Sequence, residues 1–131
     1  MQAKVYYADT DAGGVVYYAN YLRWMEMGRC ELIERLGITV QELAARGVLF
    51  AVARVEIDYL VSAVLGDVVA IETDVERVRR VRFMLQQRVV RVADGQLLAT
   101  AKLTMACLNP QGKLIALPDK VRGSLTSCVP E

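Results

Sequence analysis

The sequence predicts a two-layer α+β domain in which one long amphipathic helix is buried against an antiparallel sheet. Three observations carry that prediction: a helical apolar repeat near the start, strand-like alternation through the second half, and turn residues at the junctions.

The elements follow in order. Lys4 to Ala8 is rich in strand formers and reads as a first strand. Asp9-Thr10-Asp11-Ala12-Gly13-Gly14 interrupts it with turn residues. From about Tyr17 to Leu36 apolar residues recur at three- and four-residue steps, at Tyr18, Leu22, Met25, Leu32 and Leu36. Gly37 then stands where a left-handed residue ends a helix. Thr39-Val40-Gln41-Glu42 is a capping box, opening a short second helix that Gly47 closes. Val55, Ile57, Tyr59 and Val61 alternate with Glu56, Asp58 and Leu60 as a second strand. Leu65-Gly66-Asp67 turns the chain into a third, from Val69 to about Val78. Val81 to Val92 is a fourth, with Val81, Phe83, Leu85 and Val89 on one face, and Asp94-Gly95 marks a hairpin. In Leu97 to Leu108, Leu97, Ala99, Ala101, Leu103, Met105 and Cys107 face one way, until Asn109-Pro110-Gln111-Gly112 ends the strand. A sheet wrapped on one helix has open edges, and pairing them across a dimer protects them.

Composition narrows the chemistry. A chain of 131 residues is expected to form one domain, spanning 1–131. Its 54% hydrophobic content argues against disorder and leaves a surplus that a subunit interface can cover. A net charge of +1 makes no case for a nucleic-acid or membrane-surface partner. The apolar runs fall short of the ~20 residues that a membrane helix needs. No basic-then-apolar leader precedes the first strand, so a cytoplasmic location is expected. Cys30, Cys107 and Cys128 have neither metal-ligand spacing nor an even count, so no metal site is expected; Cys107, in an apolar strand, reads as an inert buried thiol. Above all there are 0 histidines. That excludes Ser-His-Asp and Cys-His catalysis, H-E-x-x-H zinc sites and any histidine base.

Asp9 to Asn20 is the segment richest in chemistry. It sets two carboxylates and a glycine pair just before a helix N-terminus. Free N–H groups there can stabilise an oxyanion, glycines let backbone approach a ligand, and an upstream carboxylate can attack a carbonyl or activate water. Spacing alone leaves open that Asp9 and Asp11 are only turn and cap residues. A second cluster is Arg77, Arg79, Arg80 and Arg82, readable either as a solvated hairpin or as a clamp for phosphates.

The run Tyr6-Tyr7-Ala8-Asp9-Thr10-Asp11-Ala12-Gly13-Gly14-Val15-Val16-Tyr17-Tyr18-Ala19-Asn20-Tyr21 resembles the signature of the 4-hydroxybenzoyl-CoA thioesterase-like family, which includes the acyl-CoA thioesterases associated with the Tol-Pal system. The similarity continues through Asp58-Tyr59, Gly66-Asp67 and Arg79-Arg80, over roughly residues 4 to 110. The resemblance implies a hotdog fold, a long central helix wrapped by an antiparallel sheet, with active sites at a dimer interface. It implies hydrolysis of acyl-CoA thioesters to free acid and CoA. Asp11, the second acid of the pair, falls on the catalytic carboxylate, and Tyr18, seven residues on, on the helix-start N–H that polarises the thioester carbonyl. Asp9 falls on a structural position. Many Tol-Pal-associated members carry His at the Tyr18 position; this chain has Tyr, which excludes any step through that His and leaves the backbone amide role intact. Gly14 and Tyr17 are expected beside the acyl group, and Arg79 and Arg80 match basic positions that contact the CoA nucleotide. Arg82 departs from that pattern. No cofactor is implied, since CoA is part of the substrate; the expected partners are acyl-CoA, with acyl carrier protein as a further possibility, and the expected assembly is a homodimer pairing into a homotetramer. A Glu on the central helix, such as Glu26, is the alternative carboxylate. The alternative function is a non-catalytic acyl-CoA or acyl-carrier-protein binding module. A hydratase on the same fold is disfavoured, because such sites generally rely on histidine.

Overall fold

A computed structural model describes residues 1–130. Strand β1 (Gln2–Lys4) and a 3-10 turn (Tyr7–Asp9) lead to helix α1 (Asn20–Arg35) and the short helix α2 (Val40–Ala45). Strands β2 (Leu49–Tyr59), β3 (Val68–Val78), β4 (Arg82–Arg91) and β5 (Leu97–Leu108) follow, and helix α3 (Asp119–Ser127) comes last. The strands form one antiparallel sheet in the order β1-β3-β4-β5-β2, with α1 packed on it, which is the hotdog architecture.

The apolar stripe of α1 explains the layer. Tyr21, Trp24, Met25, Leu32 and Ile33 are buried against Ile71, Val75, Leu85, Val89 and the inward face of β5. The helix comes closest at Gly28, where an added Cβ would lie 2.8 Å from Ile71 Cγ2, so only glycine lets the helix sit this low. Beneath it Gln87, fully buried, donates from Nε2 to Met25 O and to Thr73 Oγ1, each at 2.9 Å, and accepts from Arg29 Nη1 at 3.2 Å. Each polar group of that amide is satisfied, as burial requires.

Several boundaries differ from the sequence expectation. The first strand is Gln2–Lys4, not Lys4 to Ala8, because the Tyr6 N–H is captured by Asp9 Oδ2 and the chain coils into the 3-10 turn. Helix α1 begins at Asn20, leaving Tyr17 and Tyr18 ahead of it. β2 begins at Leu49, six residues before its visible alternation, because a register shift between Val52 and Arg54 breaks the two-residue period. α3 has no counterpart in the sequence reading. Its buried stripe is only Val121 and Leu125, too short to register as a helical repeat.

The two sheet edges are unequal. β1 has 3 residues and β2 has 11. On β2, Val52 is 46% exposed, Val55 37% and Tyr59 45%, so a long apolar edge stands bare in the single chain. Among the described residues no helix is long and apolar enough to cross a membrane.

Candidate active site

An antiparallel bridge between Thr10 and Val16 closes a tight loop over 11–15. The Asp11 N–H donates to Val15 O at 2.8 Å and the Gly14 N–H to Asp11 O at 3.1 Å, while Gly14 has φ +81°. This is a three-residue hairpin ending in a left-handed residue, a position glycine occupies without strain. A second bridge, Val15 to Val64, and the Val16 N–H donating to Ala63 O at 2.9 Å stitch the loop to the segment before β3.

The two carboxylates of this loop have different environments. Asp9 is fully engaged: Oδ2 accepts from Tyr6 N–H at 2.9 Å, Oδ1 from Asn20 Nδ2 at 3.1 Å, and its carbonyl from Tyr17 N–H at 2.9 Å. It fastens the 3-10 turn to the start of α1. Asp11 is exposed; its Oδ1 accepts the Gly13 N–H at 2.8 Å, and Oδ2 has no partner among the described residues. A Cβ on Gly13 would lie 3.2 Å from Asp11 Oδ1, so glycine leaves that oxygen its room.

Asp11 opens onto a recess of about 200 Å³, whose wall also holds Val15, Tyr18, Tyr21, Tyr59 and Ser62. Tyr18 lies in the turn that enters α1. Asn20 N–H donates to Tyr17 O at 2.9 Å and Leu22 N–H to Ala19 O at 3.1 Å, so the Tyr18 and Ala19 N–H groups have no acceptor among the described residues. These are the orphan donors of a helix start, with the positive end of the helix dipole behind them. Tyr18 is 63% exposed, so solvent or a ligand can reach them.

Two further tyrosines frame the recess. The Tyr59 hydroxyl donates to Tyr18 O at 2.9 Å, and the buried Tyr21 hydroxyl accepts the Ala63 N–H at 3.0 Å. Their rings meet edge to face at 5.2 Å. Burial raises both phenols above the ordinary tyrosine range, so Tyr59 stays a neutral donor. The resemblance includes Tyr59 without implying a role for it; a tyrosine closing an alternating strand, next to an acid, is the available signal.

The remaining expected site residues lie elsewhere. Gly14 shapes the loop from outside the recess wall, and the Tyr17 ring lies tilted against Tyr18, centroids 4.7 Å apart, without lining it. Arg79 and Arg80 occupy the β3–β4 turn, where Arg79 N–H donates to Arg82 O at 2.7 Å. That turn is at the opposite end of the sheet from Asp11: β3 runs from Val68, beside the Asp11 loop, to Val78, a span on the order of 30 Å at strand rise. Arg77, Arg79, Arg80 and Arg82 are exposed, and none has a carboxylate within ion-pair distance among the described residues. Glu26 faces a different cavity, of about 280 Å³, between α1 and β2 and walled mainly by Ile33, Phe50, Phe83 and Met105. Among the described residues no cluster of acids and cysteines is placed to hold a metal ion.

Against known proteins, residues 5–125 match the model of the thioesterase-like superfamily. The acyl-CoA thioesterase YbgC of Haemophilus influenzae is 39% identical over 92% of this chain and 89% of its own length. The acyl-CoA thioester hydrolase YbgC of Escherichia coli O6:H1 is 36% identical over 90% and 88%. A probable thioesterase from Bartonella henselae, 36% identical, superposes with a TM-score of 0.86 over 90% of this chain and 97% of that one.

Proposed function

This chain belongs to the thioesterase-like superfamily, and on that premise we propose that it hydrolyses acyl-CoA thioesters to a carboxylic acid and CoA, with Asp11 as the catalytic carboxylate and the Tyr18 N–H as the oxyanion donor. The observation that carries the reading is one recess bounded by an exposed carboxylate and by backbone whose N–H groups have no partner.

The chemistry follows from those two groups. A thioester carbonyl oxygen that accepts from Tyr18 N–H gains negative charge as its carbon is attacked, and a fixed amide in front of a helix dipole stabilises that charge. Asp11 can then act in one of two ways. As a base it takes a proton from water, the hydroxide adds to the carbonyl, and collapse expels the CoA thiolate, which takes up the proton. As a nucleophile it forms a C–O bond while C–S breaks, giving a mixed anhydride that water opens to the acid and the free carboxylate. Single-turnover hydrolysis in ¹⁸O-water tests for the anhydride, since label enters the Asp11 side chain only if an anhydride forms and water opens it at the Asp11 carbonyl carbon. Neither route needs a metal or an organic cofactor.

The arginine end supports CoA binding if two chains share a site. Antiparallel pairing of the bare β2 edges about a two-fold axis reverses the strand direction, so the Arg79–Arg80 turn of one protomer is brought toward the Asp11 end of its partner. A homodimer thereby joins the two halves, and guanidinium groups with no carboxylate partner among the described residues suit the CoA phosphates. The sites then lie at the dimer interface, with tetramers as a further packing of such dimers.

The test is thiol release from a panel of acyl-CoAs by native protein and Asp11→Asn. The reading expects turnover by the native chain and a loss of about 10²-fold or more in the variant. Equal activity would exclude Asp11. Binding of acyl-CoA without any turnover, unchanged by Asp11→Asn, would make the chain a binding module instead.

A further inference from the structure

The Tyr18 N–H can stabilise an oxyanion only if it holds its direction, and its neighbours show what fixes it. Two peptide units flank the Tyr18 α-carbon. The first, carrying Tyr17 C=O and Tyr18 N–H, is pinned because Tyr17 O accepts from Asn20 N–H at 2.9 Å while Tyr17 N–H donates to Asp9 O at 2.9 Å. The second carries Tyr18 C=O and Ala19 N–H. It lies outside the helical ladder, since Leu22 N–H donates to Ala19 O. Its anchor is the Tyr59 hydroxyl, at 2.9 Å from Tyr18 O.

We infer that Tyr59 is a positioning residue for the reaction: its hydroxyl, delivered from the end of β2, clamps the second peptide unit and so locks the Tyr18 N–H toward the recess. This deepens the proposed thioesterase reading and rests on its oxyanion donor, not on Asp11. With both flanking units held, Tyr18 has little rotation left, and a donor that need not reorganise is the kind that stabilises developing charge. The hydroxyl is separated from Tyr18 by 41 positions in sequence, so its reach depends on the seating of β2. The Tyr59 ring is held independently, edge to face on Tyr21 at 5.2 Å and on Tyr18 at 6.4 Å. Removing the hydroxyl alone therefore leaves the packing in place.

Tyr59→Phe makes that cut. Loss of a whole oxyanion donor costs about 10²–10³ in kcat, so a donor that is loosened rather than lost should cost about tenfold. The expected result is a tenfold fall in kcat, KM within twofold, an unchanged melting temperature, and faster hydrogen exchange at the Tyr18 and Ala19 amides in ¹⁵N-labelled protein. Replacing Tyr59 by 4-aminophenylalanine, which keeps a donor at the same place, should restore kcat. Native kcat and unaltered amides in Tyr59→Phe would overturn the inference. So would a fall in kcat that 4-aminophenylalanine fails to restore, since a donor to Tyr18 O would then not be what the reaction needs from position 59. Asp11→Asn, assayed beside these variants, reads the carboxylate separately: full activity there sinks the Asp11 assignment and leaves the Tyr59 comparison to stand or fall on its own kcat.

Discussion

The Asp11 end and the Arg79–Arg80 end of the sheet are built on opposite rules. At the first, nearly every group is tied: two bridges, the three bonds on Asp9, the Tyr21 bond to Ala63 and the Tyr59 bond to Tyr18 all converge within a few residues. At the second, backbone bonds such as Leu117 N–H to Arg80 O hold the turn, while four exposed guanidinium groups have no carboxylate within ion-pair distance among the described residues. The contrast within the arginines is sharp. Arg88 pairs with Glu72 and Asp74, and Arg91 with Asp67 and Asp94. Arg88 and Arg91, on the body of the sheet, are paired, and the arginines at its far end have no ion-pair partner among the described residues. On the proposed reading, geometry is fixed where the thioester is cleaved, and charge is left unpaired where the CoA phosphates bind.

That difference predicts different kinetic signatures. Breaking the rigid end with Asp11→Asn should lower kcat by about 10²-fold and leave KM within a few-fold, because the role proposed for the group is in the transition state. Breaking the charged end with Arg79→Ala and Arg80→Ala together should do the reverse. The expected change is a rise in KM for acyl-CoA of about tenfold, the scale of one lost charge-assisted contact, with kcat nearly unchanged. Two controls sharpen it. A thioester cut back to pantetheine carries no nucleotide phosphates and should show the same KM with native protein and variant, and the native KM should rise with salt while the variant's stays flat. A double variant that loses kcat instead would place the arginines in the chemistry, against the separation seen along β3.

The unequal legibility of the two ends has a physical basis. The arginine cluster and the Asp-x-Asp-x-Gly-Gly loop are contiguous, so composition and turn chemistry reveal them directly. The β5 alternation is equally plain, because it repeats its period over a buried face; the α1 stripe is legible only in part, since Met25 and Leu32 are buried while Leu22 is exposed and Tyr21, Trp24 and Ile33 complete the buried face. What the sequence left hidden depends on register. The far wall of the recess, Tyr59 to Ser62, reaches Tyr18 only through the pairing of β2 with β5, with its shift between Val52 and Arg54. Gln87 sits at an inward position between Leu85 and Val89, and its polar side chain in that parity was the one local sign of the network under Gly28. The start of α1 was misplaced by the same cause. Tyr17 and Tyr18 fit the helical repeat, but the Tyr17 N–H is drawn back to Asp9 by a bond that no periodicity records.

The smallest effect tests whether rigidity and chemistry are coupled at the Asp11 end. Gly14 has φ +81°, and no atom would meet an added Cβ there, so Gly14→Ala introduces backbone strain without a clash. Such strain is worth about 1 kcal/mol, or a fall of a few degrees in melting temperature for a domain of this size. The hairpin can relieve part of it by letting the Gly14 N–H drift from Asp11 O, which moves the Asp11 backbone and with it the carboxylate. Gly14→Ala should therefore lower kcat modestly, by about threefold, together with the melting temperature, whereas the arginine double variant should leave the melting temperature where it was. If Gly14→Ala lowers the melting temperature and kcat does not move, the loop's stiffness serves folding alone, and the carboxylate is held by its bond to Gly13.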